Sequence, residues 1–400
     1  MDMLREIKRI NAGRDPERLA MKYAKMRSDP FIFLRGSCHL FYDRLSRRGI
    51  FKSAPLTWVC GDLHLENFGS YKGDNRLPYF DLNDFDEAAL APASWELVRL
   101  LTSLWAGAQT LGAGEPECVT LCQAYVDAYA DALASGKSYW LEPQTAHGPI
   151  GTLLNSLRDR QRADFLNSRS VLKGRKRVLK LDGKRALPVT AAQRTQVETF
   201  MAHFATAQAD PSFYEVLDVA RRIAGTGSLG LDRYVILVRG KGSPDRNYLL
   251  DLKQAAPSSL VPHLKKVVQP DWKSEAHRVV TLQRRMQAVS MAFLQPVMLG
   301  QRGFILRGLQ PSEDRVTLDR AHRSAEGLNS VITTMGRLTA WAQLRSSGRE
   351  GSAIADELIA YGRRRKWRAK LLEAARESAA QLNADAACFA QAYDDGVFNV

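Results

Sequence analysis

Hydrophobic positions in the first fifty residues recur at three- and four-residue steps. The run "DPERLAMKYAKMRSDPFIFLRGSCHLFYDRLSRRG" carries that spacing, and Gly49 supplies a stop. Residues 1 to about 50 are therefore predicted to be helical. The period then changes. "PLTWVCGDLH" reads as a short apolar strand running into a polar loop, and "RLPYFDLNDFDEA" alternates at Leu77, Tyr79 and Leu82. Together they predict a strand pair over 56–60 and 77–83. Helical spacing returns from Pro92 to about Ala134, in "WELVRLLTSLWAGAQTL" and "CVTLCQAYVDAYADALA". Residues 135–190 mix basic residues with turn formers, and a further helix is predicted over 191–208.

Beyond Pro211 the pattern turns to strand. "RYVILVRGKGSPDRNYLLDLKQA" holds two β-rich runs around a Gly/Ser/Pro/Asp/Asn turn, the mark of a hairpin. "SEAHRVVTLQRRMQAVS" follows as a helix, then "PVMLG" and "GFILRGL" as two short strands. Residues 318–395 return to helical spacing. The layout is a helical lobe over 1–215 that carries the polar loop, a β-rich lobe over 216–310, and C-terminal helices over 311–400 that complete the helical lobe. The fold class expected is α+β with two lobes, as suits 400 residues.

Composition narrows the partners. The net charge of +14 favours phosphate-bearing ligands of any kind. The excess gathers in Arg169–Arg185 and Arg363–Lys370 without the interleaved aromatics of a single-strand binder. A solvated basic face is the preferred reading there; nucleic-acid or other polyanion binding stays as a lesser alternative. The start, "MDMLREIKRI", lacks the apolar stretch of a secretory signal. No uncharged apolar run reaches the ~18 residues of a membrane span. Five scattered cysteines suit a reducing cytoplasm, the expected location. Cys118 and Cys122 share a helical face and read as small apolar side chains.

Two stretches carry chemistry. In "IAGTGSLGLDRYVILV", Gly225, Gly227 and Gly230 form G-x-G-x-x-G, with Thr226 and Ser228 between them. A strand, not a helix, follows, so the loop joins strands, and its glycines let backbone N–H groups approach phosphates. The hairpin's second strand ends in "LLDLK", where alternation puts Leu249, Asp251 and Lys253 on one face. A lysine under a glycine loop is the protein-kinase arrangement. The second stretch is "VCGDLHLENFG". Asp62 and Asn67 stand five apart, the spacing by which a kinase loop supplies a base and a metal-binding amide, and Asp84 in "NDFDEA" offers a second metal ligand. Asp81 and Asp86 flank Asp84 and can trade places with it.

"GDLHLEN…NDFDEA" resembles the signature of aminoglycoside and choline phosphotransferases, a branch of the protein-kinase-like fold. The resemblance implies Asp62 as catalytic base, and Asn67 and Asp84 as Mg2+ ligands. Cys60 stands where that family has histidine, and Glu96 where it often has an Asp that buttresses the catalytic loop. More closely, "DPFIFLRG", "GDLHLENFG", "FDLNDFDEA", "GTGSLGLDRY", "LLDLKQA" and "HRVVTLQRRMQA" resemble, in order, domain of unknown function family 2252. Relative to a kinase the segments are rotated: the catalytic loop precedes the glycine loop, as in a circular permutation. The join would lie between about 190 and 220, and "NSVITTMGRLTAWAQLRSS" would precede the catalytic loop in space.

These readings predict an ATP-dependent phosphotransferase. Gly225, Thr226, Gly227, Ser228 and Gly230 would cover the phosphates and Lys253 would bind them. Arg307 and Leu309 would border the adenine as a hinge, and Glu275 would pair with Lys253. The partners are ATP, Mg2+ and an unidentified hydroxyl acceptor, small molecule or protein. Alternatives are AMP transfer or nucleotide binding without turnover. A binuclear metallophosphoesterase is disfavoured, because none of the seven histidines follows Asn or Gly.

Overall fold

The computed structural model describes residues 2–311, 313–319 and 324–399. The predicted helical start is five short helices: Met3–Asn11, Pro16–Ser28, Pro30–Gly36, Cys38–Arg44 and Ile50–Ser53. Asp2, Asp15 and Asp29 cap the first three through first-turn N–H groups. Pro16 and Pro30 open helices where a missing N–H costs nothing.

The strands expected to pair with each other do not. Leu56–Val59 pairs antiparallel with Ala89–Pro92, and Pro78–Leu82 pairs with Phe68–Lys72. The cause is local. Phe68–Lys72 leaves the polar loop directly and returns through the turn at 73–77, so the closer segment takes 78–82 as its partner.

Helices Ala93–Ala106, Glu115–Ser135 and Ala325–Arg345 form the heart of the main core, and Lys366–Asp394 packs against them. Each fully buried Leu or Phe in it contributes roughly 1.5–3 kcal/mol. Helices 115–135 and 325–345 approach backbone to backbone at Gly336, where a Cβ would lie 2.4 Å from the Tyr125 carbonyl oxygen. Tyr125 and Tyr129 then donate across that contact to Thr339 and Gln343 at 2.9 and 2.6 Å.

The β-rich region is one six-stranded antiparallel sheet. Its spatial order is Gln295–Leu299, Arg302–Gly308, Tyr248–Gln254, Arg233–Val238, Val216–Arg222, Ala186–Leu187. The predicted hairpin pairs Tyr248 with Val238 and Lys253 with Arg233. The sheet reaches back beyond residue 216, because Ala186–Leu187 adds an edge strand and helix Ala191–Thr206 packs on its outer face through Val197 and Met201. Leu250, Leu252, Ile236 and Phe304 meet that helix side. The opposite face carries Leu249, Val235, Leu237 and Ala220, and it is covered by Leu166, Leu179 and Ala186. The basic stretch 169–185 therefore does more than coat the surface. Its hairpin, Ser170–Lys173 with Lys176–Leu179, packs on the sheet, and buried Arg177 is paired with Asp245 at 2.7 Å. Among the described residues no helix is long and apolar enough to cross a membrane. Cys118 and Cys122 are buried, as expected for small apolar side chains.

Candidate active site

The polar loop begins at Gly61. Its φ of +84° and a Cβ position 2.2 Å from the Glu87 carbonyl oxygen admit only glycine. Glu96 holds the loop from below: one carboxylate oxygen accepts from the N–H groups of Cys60 and Gly61 at 2.6 and 3.4 Å, the other from Gln343 at 3.1 Å. This is the buttress expected of Glu96, supplied jointly with helix 325–345. His64 closes the turn, its Nδ1 accepting from the Glu66 N–H at 3.1 Å, and burial keeps its imidazole far below the usual pKa. Asn67 donates its side-chain N–H to the Asp62 carbonyl oxygen at 2.5 Å, folding the five-residue span back on itself.

Asp62 keeps 20 % of its side chain exposed. Burial pushes its carboxyl up, against the pull of Arg99. Arg99 donates Nε to Oδ1 at 2.7 Å, and its Nη2 shares that oxygen and the Leu34 carbonyl. The second oxygen, Oδ2, makes no hydrogen bond among the described residues.

The acids of 81–87 separate by partner. Asp81 is buried on Arg345 at 2.8 Å and on the Ala288 N–H, which commits it to structure. Asp84 lies 3.6 Å from Lys253 Nζ and is 45 % exposed, and Asp86 pairs with the same amine at closer range. Burial raises the Asp84 carboxyl, but Lys253, Arg307 and Arg233 outweigh it, and the group sits below the usual carboxylate range. Lys253 is thus brought to the acids at 84 and 86, and Glu275 is not its partner: Glu275 holds Arg278 at 2.6 Å. Arg278 instead ties its helix, Glu275–Met286, to the loop by donating to the carbonyls of Asp86 and Ala88 at 2.8 and 2.6 Å. Glu275 stands on the first turn of its helix, three residues before Arg278, so the two side chains share a face and pair locally.

Gly225 and Gly230 adopt φ of +73° and +90°, and Thr226 between them is buried. The N-terminal helices clamp this turn. Arg14 donates to the carbonyls of Gly227 and Leu229 at 2.7 and 2.8 Å, and Lys22 to Gly227 at 3.1 Å. In a trans peptide the N–H points opposite its carbonyl, so the N–H groups of Ser228 and Gly230 face away from those cations. They make no hydrogen bond among the described residues.

Arg307 does not border an open base pocket. It lies buried with Arg222 and Arg233 around Asp251, at 3.2, 2.8 and 2.7 Å. Asp251 is wholly buried on the same strand face as Lys253, so the guanidiniums it draws in must leave solvent. Leu309, the other expected hinge residue, packs with Leu166 and Val235.

Four residues at this site escaped the sequence reading: Arg99, Arg35, Arg14 and Lys22. Arg35 pairs with Glu66 at 2.6 Å, and its Nε is buried without a partner. Lys22 is buried on Asn11 at 2.8 Å, and burial drives its amine pKa down. The signal was available for Arg99 and Arg35, each set among apolar residues in "WELVRLL" and "DPFIFLRG", since a charge on an apolar helix face must find a counter-charge.

Among the described residues no three His, Cys, Asp or Glu side chains gather into a metal cage. The donor set of Asp84 and the Asn67 amide oxygen suits a hard cation that takes its remaining ligands from water and phosphate. No curated protein and no solved structure matches the chain. A family model described as an uncharacterized protein conserved in bacteria matches residues 14–392. With nearly the whole chain inside that match, the protein belongs to the uncharacterized bacterial family DUF2252.

Proposed function

We propose that this protein is a kinase-like phosphotransferase that moves the γ-phosphate of ATP to a hydroxyl acceptor with Mg2+. The observation that carries this reading is Lys253 of the sheet meeting Asp84 and Asp86 of the helical lobe, beside the Asp62–Asn67 loop. Chain order within the sheet supports it: strand 216–222, glycine turn, strand 233–238, lysine strand 248–254, helix 275–286, strands 295–299 and 302–308. A kinase nucleotide lobe has the same sequence of glycine loop, lysine strand and helix. The catalytic-loop pieces come earlier in the chain, so the reading includes a circular permutation. Gln343 on Glu96 and Arg345 on Asp81 support it, since they set helix 325–345 against the loop it would precede.

In the proposed reaction Asp62 Oδ2 accepts the proton of the acceptor hydroxyl as that oxygen bonds to the γ-phosphorus. The bond from the γ-phosphorus to the bridging oxygen breaks, and ADP leaves with the electron pair. Lys253 and the N–H groups of Ser228 and Gly230 donate to phosphate oxygens. Asn67 and Asp84 would hold Mg2+, which when bound neutralises phosphate charge.

One observation favours a second reading. Where a base would stack on the sheet, Asp251 draws in three buried guanidiniums, which leaves no apolar floor for a ring. A nucleotide lying the other way round would present its α-phosphorus to the acceptor, transferring AMP and releasing pyrophosphate. ATP labelled at the α- or the γ-phosphate separates the two. We expect γ-label to move and ADP to form. Movement of α-label with pyrophosphate release selects AMP transfer. A Mg2+-dependent rise in melting temperature with no product selects a nucleotide binder, and no response to any nucleotide sinks all three.

A further inference from the structure

A cavity of about 270 Å³ lies beside residues 308–311, between the hairpin 68–82, helices Gly148–Arg158 and Arg162–Arg169, and the near end of the sheet. Leu249 lines it, and Lys253 lies four residues farther along that strand, about 13 Å away. Leu309, read from the sequence as a hinge residue, lines it too, so the cavity adjoins the region expected for the base and not the Lys253 end of the strand.

Its charge is one-sided. Lys72, Arg76, Arg160 and Arg162 border it, and Arg158 at its rim is occupied by Asp159. Its one acid among the described residues, Asp314, spends both oxygens on Arg160 at 2.9 and 2.8 Å. Lys72, Arg76 and Arg162 have no carboxylate partner among the described residues. Burial and the three neighbouring guanidiniums together lower the Lys72 amine, which is the response of a cation held among like charges.

The remaining wall is aromatic. Arg162 lies 3.8 Å over the Tyr248 ring and Arg76 5.4 Å over Phe293, whose ring meets Tyr248 edge-on at 5.8 Å. Arg76 and Phe293 are also two of only three non-glycine residues with positive φ among the described residues, at +75° and +63°. A bulky aromatic in that region is a true outlier, and such strain collects at ligand sites.

We infer that this cavity binds a small aromatic anion, with the ring against Phe293 and Tyr248 and a phosphate or carboxylate held by Arg76 and Arg162. Arginine forks match either group through paired N–H donors, and guanidinium and aromatic faces both stack on a flat ring. The volume suits one substituted ring, since a cavity of roughly 150 Å³ already accepts benzene. The inference rests on the cavity's own lining.

Calorimetric titration of the full chain with phenyl phosphate, benzoate, inorganic phosphate and benzyl alcohol tests it. Phenyl phosphate or benzoate should bind at least about tenfold more tightly than inorganic phosphate and benzyl alcohol, a gap of the size one charge-assisted contact makes. The stronger of the two identifies the anionic group. The Arg76→Gly variant should weaken that binding about tenfold and melt no earlier than the native chain, because glycine adopts positive φ without steric cost. Should that variant fail to fold, Arg162→Gln serves for the binding arm. Lys253→Met should bind phenyl phosphate as the native chain does. Equal binding of all four probes, unchanged binding in the arginine variants, or loss in Lys253→Met overturns the inference.

Discussion

Asp251 and Lys253 stand two residues apart on one face of one strand, yet they anchor opposite kinds of charge cluster. Around Asp251 one carboxylate holds three guanidiniums, all nearly or wholly buried. Around Lys253 one amine meets two carboxylates, and Asp84 and Asp86 keep 45 % and 27 % of their side chains in solvent. The first cluster ties four strands: Asp251, Arg222, Arg233 and Arg307 come from 248–254, 216–222, 233–238 and 302–308. The second joins the six-stranded sheet to the loop at 84–86 and keeps carboxylate oxygens accessible. A sealed cluster answers to stability, whereas an open one leaves acids available to a ligand.

Three experiments press on that contrast. Asp251→Asn should cost the most stability, about 3–5 kcal/mol, because three buried guanidiniums lose their counter-charge. Lys253→Met should cost about 1 kcal/mol or less, since its acids retain water. Urea midpoints of the two variants measure the difference, and equal losses would erase the distinction drawn here. Next, Asp62→Asn should lower turnover by roughly 10²–10⁴-fold, the range of a general base, with nucleotide binding spared. A variant that turns over normally would remove Asp62 from the chemistry.

Acid should separate the clusters by a smaller margin. Arg222, Arg233 and Arg307 overcome the burial that would raise Asp251 and hold its carboxyl well below the usual range. Its stabilisation is therefore present above the unfolded value, ~3.9, and is lost only below that. Asp62 is raised, so the acid limb of turnover should lie above ~3.9 while the sheet cluster is still charged. A third group sets the background. Burial and the nearby Lys22 lower His39 from 6.5 to about 4. The unfolded chain binds that proton first, so stability should fall by about 3 kcal/mol as pH drops from 6.5 towards 4. His39→Phe should abolish that loss. Urea unfolding at both ends of the window, alongside a pH–rate profile, reads all three groups. A native chain equally stable at both ends would refute the His39 part.

Much of the site was legible because its geometry is local. The Asp62–Asn67 spacing is closed by a bond within the loop itself. The hairpin 233–254 follows from alternation and turn residues, and its register leaves Lys253 facing inward with Asp251. Glu96 was legible through its position on the helix after the acids of 81–87. The misreadings share one cause. The partner of 78–82 depended on a strand that the polar loop conceals, and Arg307 and Arg99 had to be assigned partners across long stretches of chain.

Local order in the chain, then, was enough to specify the catalytic-type loop, the glycine turn and the strand lysine, because steric and hydrogen-bonding rules over five or six residues decide them. Tertiary structure alone decided which charges meet: Arg99 with Asp62, Lys253 with Asp84 and Asp86, and three arginines with Asp251. A buried charge takes whichever opposite charge the packing brings within a few ångströms, and that choice is written in the meeting of distant elements, not in any one of them.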